Sequence, residues 1–174
     1  MKKILLSLLL FAASLAAQAA PSVANSCTDA KSSTTAMSCA VSGVTSGDLI
    51  VIRVGSHNSS VANLSTPTGA GACSSTFVSQ GSQYGGSADG VGFWTMVAGS
   101  SGTCTVTYGK NAQNAAASMQ VDDITGWDGT TQTDGAAVFA NGTSTSLTAS
   151  MSSTTVGNDL LLGYISSFDT TNVT

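Results

Sequence analysis

The side chains able to do chemistry in this chain are few, and most are of one kind. There are nine Asp, no Glu and a single histidine, His57. Glycoside hydrolysis needs two carboxylates at a fixed separation, and Asp122, Asp123 and Asp128 lie close together in sequence. Adjacent residues on a strand face opposite ways, however, so Asp122 and Asp123 cannot serve one site together. A Ser-His-Asp arrangement would have to use His57, but no G-x-S-x-G elbow presents a serine. The surrounding Gly55-Ser56-His57-Asn58 reads as an exposed loop just after a strand. No catalytic residue is assigned.

Asp-only, Gly- and Thr-rich loops also suit calcium, and the stretch from Asp122 to Asp134 holds Asp122, Asp123, Asp128 and Asp134. It lacks EF-hand spacing, and Asp-Gly pairs are ordinary turn formers, so the expectation is no metal and no cofactor. Trp127, Tyr84 and Trp94 could stack on sugar rings if exposed, although packing is the usual fate of such rings. Trp94 alternates with Met96 and reads as core, whereas Trp127, between Gly126 and Asp128, reads as the end of a strand. Asn58-Ser59-Ser60, Asn63-Leu64-Ser65 and Asn141-Gly142-Thr143 match the glycan-acceptor pattern and are read as chance.

The four cysteines are Cys27, Cys39, Cys73 and Cys104. An even count in an exported chain reads as disulfides, with three pairings open. Cys27–Cys39 with Cys73–Cys104 is preferred. The first closes a short Ser/Thr-rich loop, and the second ties an irregular loop to a strand. A zinc site is disfavoured because there is no C-x-x-C and only one His.

Export is read from the first residues. Lys2 and Lys3 precede an apolar run from Ile4 to Ala17, and Ala17-Gln18-Ala19 offers the small residues of a cleavage site. Residues 1–19 are therefore a signal peptide, too short in its apolar part to span a bilayer. The mature chain then carries Lys31, Arg53 and Lys110 against nine Asp, a net charge of −6. Three scattered cations cannot make a nucleic-acid surface, and no membrane span remains in the mature chain. Localisation is expected to be secreted or periplasmic.

The elements that must position these groups are strands. Thr and Val suit pleated strands, Gly, Ser, Asn and Asp suit turns, and Glu and Lys are nearly absent. Residues 20–36 read as an arm or first hairpin, and residues 37–174 as one β-sandwich domain. Strands are expected at Met37–Ser42, Leu49–Val54, Thr76–Gln80, Phe93–Ala98, Thr103–Tyr108 and Ala115–Ile124. Weaker ones are expected at Ala136–Ala140 and Ser146–Met151, and a last strong one at Leu160–Ile165. Leu49–Val54 and Leu160–Ile165 are apolar on both faces, as central strands are. Gly81–Gly90 reads as a loop. Gly99–Gly102 reads as the turn of a hairpin joining the strands on either side. Thr45–Val51 and Thr155–Leu162 echo each other as strand-entry turns. Because the last strong strand has no successor before Thr174, the sandwich reads as truncated, or as closed by its N-terminal part.

The order of these pieces resembles a set of secreted bacterial and phage-associated β-sandwich modules of jelly-roll, concanavalin-like form. The residues that carry the resemblance are Gly47-Asp48-Leu49-Ile50-Val51, Thr66-Pro67-Thr68-Gly69, Phe93–Ala98, Cys104-Thr105-Val106-Thr107, Thr125-Gly126-Trp127-Asp128 and Asn158–Gly163. It spans roughly residues 40–165. It implies an all-β, two-sheet antiparallel sandwich and no particular activity, because these modules share none. Gly71-Ala72-Cys73 stands where they carry Gly-Trp-Thr, so a disulfide would replace that packing.

The expected function is a non-catalytic extracellular binding or adhesion module whose partner is carbohydrate or a cell-surface component. The alternatives are a secreted polysaccharide hydrolase, or a structural subunit completed by a partner strand.

Overall fold

Alternation of apolar and polar residues writes two facing sheets into this chain. The computed structural model describes residues 19–31, 36–58, 64–85, 89–109, 114–140, 148–150 and 159–165. The signal-peptide reading and most of the 141–158 stretch lie outside them. Eight strands are present: β1 (Ser22–Lys31), β2 (Met37–Val44), β3 (Leu49–Asn58), β4 (Thr68–Gly71), β5 (Val78–Gly85), β6 (Asp89–Val97), β7 (Gly102–Tyr108) and β8 (Asn114–Thr125). No helix occurs among the described residues.

All pairings are antiparallel. One sheet has the order β1-β8-β3-β6-β5, and the other β2-β7-β4. A jelly roll is a wrapped ribbon that pairs first strand with last and works inward. The pairs β1·β8, β2·β7 and β3·β6 follow that scheme, and β3·β8 and β4·β7 complete the sheets. The departure is β5, which pairs with β6 and not with β4.

The core lies between the sheets. Ile50, Ile52 and Val54 of β3 meet Met37, Cys39 and Val41 of β2, Cys104, Val106 and Tyr108 of β7, and Ala117, Met119 and Val121 of β8. Trp94 and Met96 complete it from β6. The opposite face of β3 carries Leu49 and Val51, which form a second, smaller cluster with Ile124. β3 is thus central, apolar on both faces, as its sequence requires.

The disulfides are Cys27–Cys39 and Cys73–Cys104, and no free cysteine occurs among the described residues. The first joins β1 to β2 and so ties one sheet to the other. The second anchors the exit of β4 to β7. There Gly69 lies so close to the chain that an added Cβ would sit 1.9 Å from the Cys73 carbonyl oxygen.

Several expectations are corrected. β1, Ser22–Lys31, lies at the edge of the larger sheet, within the stretch read as an arm or first hairpin. Gly81–Gly85 continues β5, and β6 already begins at Asp89, so the supposed loop around Tyr84 is largely strand. The strands around Gly99–Gly102 do not form a hairpin: β6 belongs to one sheet and β7 to the other. The turn between them is an arch. Gly47 N–H donates to the Ala98 carbonyl (2.8 Å), and Ala98 N–H donates to the Asp48 carbonyl (2.9 Å). A glycine turn between two alternating strands has the same sequence signature in either geometry, which is why the two readings could not be separated.

Ala136–Ala140 is not a strand. Neither is Leu160–Ile165, which runs beside the sheet without joining it. Its residues alternate between half-buried and exposed. Leu160 and Leu162 pack on the Leu49–Val51–Ile124 cluster, while Leu161 and Ile165 are 71% and 72% exposed. An apolar run marks an extended chain against a sheet; it does not say whether the contact is edge-on or face-on. The echo of Thr45–Val51 therefore leads to no second central strand.

Candidate functional site

The outer face of the larger sheet, the face turned away from the core, carries an unusual polar centre. Arg53 of β3 and Asp122 of β8 form an ion pair there and are 5% and 1% exposed. Gln120 donates from Nε2 to Asp122 Oδ1 (3.0 Å), and Arg53 donates a second guanidinium hydrogen to the Gly163 carbonyl. The 159–165 segment is thereby pinned over the sheet. Tyr164 completes the fastening: its hydroxyl pairs with the Ser118 hydroxyl and donates to the Ser118 carbonyl (3.1 Å).

Beside this fastening runs a groove of about 380 Å³ between β1, β8 and the 159–165 segment. Its walls include Thr28, Ala30, Ser118, Gln120, Tyr164 and Ile165. These offer hydroxyl and amide groups next to one aromatic ring and one aliphatic side chain. Asp29, also at the groove, is held below the usual carboxylate range by the Lys31 ammonium first and then by the Ser38 amide.

A second polar cluster lies at the end of the sandwich where β3 begins. Asp123 is 0% exposed and accepts from Asn25 Nδ2 (3.1 Å) through Oδ2, while its Oδ1 has no hydrogen-bond partner. Burial raises its pKa; Asn25 opposes that rise, and the nearby Asp48 carboxyl adds to it. Asp48 itself caps the β3 entry turn, accepting from the Thr45 amide (2.7 Å).

The remaining sequence candidates are scattered. Asp122 and Asp123 do engage different partners, Arg53 and Asn25, as their adjacency on β8 demands. Asp128 organises its own loop, accepting from the Thr131 and Thr130 amides (both 2.8 Å), which in that order lower its pKa. Among the described residues no three His, Cys, Asp or Glu side chains gather as a metal centre. His57 is not in an exposed loop: it lies within β3, half-buried, opposite Asp89 and Ala116. The strand runs on through Gly55 because β6 and β8 both supply partners that far.

The aromatic candidates fare similarly. Trp94 is core. Trp127 packs on the Leu49–Val51–Ile124 cluster and donates its indole hydrogen to the Gly47 carbonyl (2.7 Å), so it is fixed packing and not a free platform. The Tyr84 side chain lies outside the described residues. Sequence reasoning missed Tyr164 and Gln120 altogether. Only the pairing of one buried-strand Arg with an Asp on another strand could have signalled a polar centre on that face.

No family model, curated protein or solved structure matches the chain. What defines the molecule is its fold, a disulfide-bonded two-sheet β-sandwich. Two disulfides fit an oxidising compartment, and no helix among the described residues is long and apolar enough to cross a membrane.

Proposed function

We propose that the protein is a non-catalytic binding module of the cell exterior that takes carbohydrate in the groove between β1, β8 and residues 159–165. The observation that carries this reading is the lining: neutral hydroxyl and amide groups of Thr28, Ser118 and Gln120 beside the Tyr164 ring. A sugar presents hydroxyls on its rim and C–H groups on its faces, and such a lining answers both. The groove volume falls at the small end of ligand sites, which run roughly from 300 to 1,000 Å³. The signal-like residues 1–19 and the two disulfides support export, and the resemblance to secreted bacterial and phage-associated sandwich modules agrees with it.

A glycan array with parallel hydrolysis assays tests the reading. Retention of an oligosaccharide without turnover is expected. Thr28→Val and Tyr164→Ala are each expected to weaken that retention about tenfold, the cost of about 1.4 kcal/mol of lost contact. Turnover of the ligand, or retention indifferent to both substitutions, would overturn it.

A further inference from the structure

We propose that the 159–165 segment is a hinged strap: Leu160 and Leu162 anchor one end on the outer face of the larger sheet, and the other end, Gly163 to Ile165, is a latch whose release opens the groove beside β1. The proposal concerns how the groove's wall is held and stands whatever the groove binds.

The segment is extended but belongs to no sheet, and no backbone-to-backbone hydrogen bond joins it to another described residue. Neither disulfide reaches it. None of its residues is fully buried. A segment with so little burial and no ladder opens at a lower free energy than the fold as a whole.

Its two ends are held by different chemistry. Leu160 and Leu162 pack on the Leu49–Val51–Ile124 cluster, on which Trp127 also packs. Beyond them the fastenings are polar. The Gly163 carbonyl accepts from Arg53 Nη1, and the Tyr164 hydroxyl pairs with the Ser118 hydroxyl and donates to the Ser118 carbonyl (3.1 Å). Register lays these points out in order along β3: Leu49 stands opposite Ile124, Arg53 opposite Gln120 and Gly55 opposite Ser118. The strap thus runs from apolar ground to polar ground. Water replaces polar contacts that part, whereas apolar side chains pulled from their cluster lose burial with nothing in exchange. The polar end is therefore the end that lifts. Gly163 lies at the junction, and its backbone freedom suits a pivot.

Tyr164 and Ile165 are also the strap's share of the groove lining, with Thr28 and Ala30 of β1 and Ser118 and Gln120 of β8 supplying the rest. Lifting the latch removes that share, so the groove is complete only when the latch is shut. Anything held against both strap and sheet must in turn hold the strap shut, because linked equilibria are reciprocal.

Arg53 is the only arginine of the chain and is 5% exposed, so phenylglyoxal, which attacks guanidinium groups, reports release of the latch at one site. Labelling of the disulfide-intact protein is followed by mass spectrometry at increasing urea. It is expected below the urea concentrations that unfold the sandwich, and with a shallower urea dependence, because little surface is uncovered. Tyr164→Phe keeps the ring but removes the hydroxyl, and should speed labelling about fivefold. Leu160→Ala weakens an anchor that is docked whether the latch is open or shut, so it should leave the labelling rate unchanged. In Tyr164→Phe the methyl NMR signals of Thr28, Ala30 and Ile165 should shift together while those of Leu160 and Leu162 hold still. Labelling confined to the global unfolding transition would overturn the proposal. So would a Tyr164→Phe rate equal to that of the wild type. Equal acceleration by Tyr164→Phe and Leu160→Ala would overturn the hinge, since the strap would then detach as a whole.

Discussion

Arg53 and Asp122 stand on adjacent strands and point to the same side of the larger sheet, away from the core, yet both are almost wholly buried. The 159–165 segment is fastened to the pair, its Gly163 carbonyl taking a hydrogen from the guanidinium. A buried ion pair gains little over an apolar replacement, but breaking it strands a charge.

Removing one partner should therefore be costly. Asp122→Ala is expected to destabilise by about 3–5 kcal/mol, because it leaves the Arg53 charge uncompensated under the segment. The double replacement Arg53→Met with Asp122→Leu should recover most of that loss. Urea denaturation of the two variants and the wild type measures both.

The disulfides give a second expectation. Thiol titration of the unfolded, unreduced mature protein should find essentially no free thiol. Replacing Cys27 and Cys39 by Ser should cost about 2–5 kcal/mol, as loss of a native disulfide commonly does. One or more titratable thiols per chain would contradict the pairing.

Gly69 offers a sharper steric test. Gly69→Ala places a methyl 1.9 Å from the Cys73 carbonyl oxygen, which is backbone and cannot swing aside. β4 should detach from β7, and the Cys73–Cys104 disulfide should become accessible to mild reductant. Gly109→Ala, where an added Cβ meets nothing within 4 Å, is the control.

Acid should act through Asp29. The Lys31 ammonium and the Ser38 amide lower its folded pKa, so its stabilisation is complete above the unfolded aspartate value of about 3.9. It is lost as the pH falls through the lower folded value. In Asp29→Asn that acid-side loss should disappear from the stability-versus-pH curve. The difference should shrink at high salt, because the Lys31 end of the pair is solvent-exposed.

Much of the architecture was legible from alternation. Ile50, Ile52 and Val54 on one face of β3 and Leu49 and Val51 on the other announced a central strand. Cys104, Val106 and Tyr108 announced the inner face of β7. Pairing was less legible, because it depends on which edge a strand meets, and no local pattern encodes that. Phe93–Ala98 and Thr103–Tyr108 looked like hairpin partners and are split between sheets. Leu160–Ile165 looked like a central strand and is an extended segment laid across one face. The polar clusters were the least legible. Asn25, Asp48 and Asp123 are far apart in sequence, and only the convergence of β1, β8 and the β3 turn makes them neighbours.

The Cys27–Cys39 bond joins the edge strand of one sheet to the edge strand of the other, while at the opposite rim β5 pairs within its own sheet and leaves β4 without it. Mechanically the two sheets are the covers of a book with its spine at β1 and β2. Partial opening should then swing from the β4–β5 side, pivoting on the disulfide. Amide exchange should run fastest along β4 and β5 and slowest near Cys27 and Cys39, and cutting that one bond should erase the gradient before it unfolds the molecule.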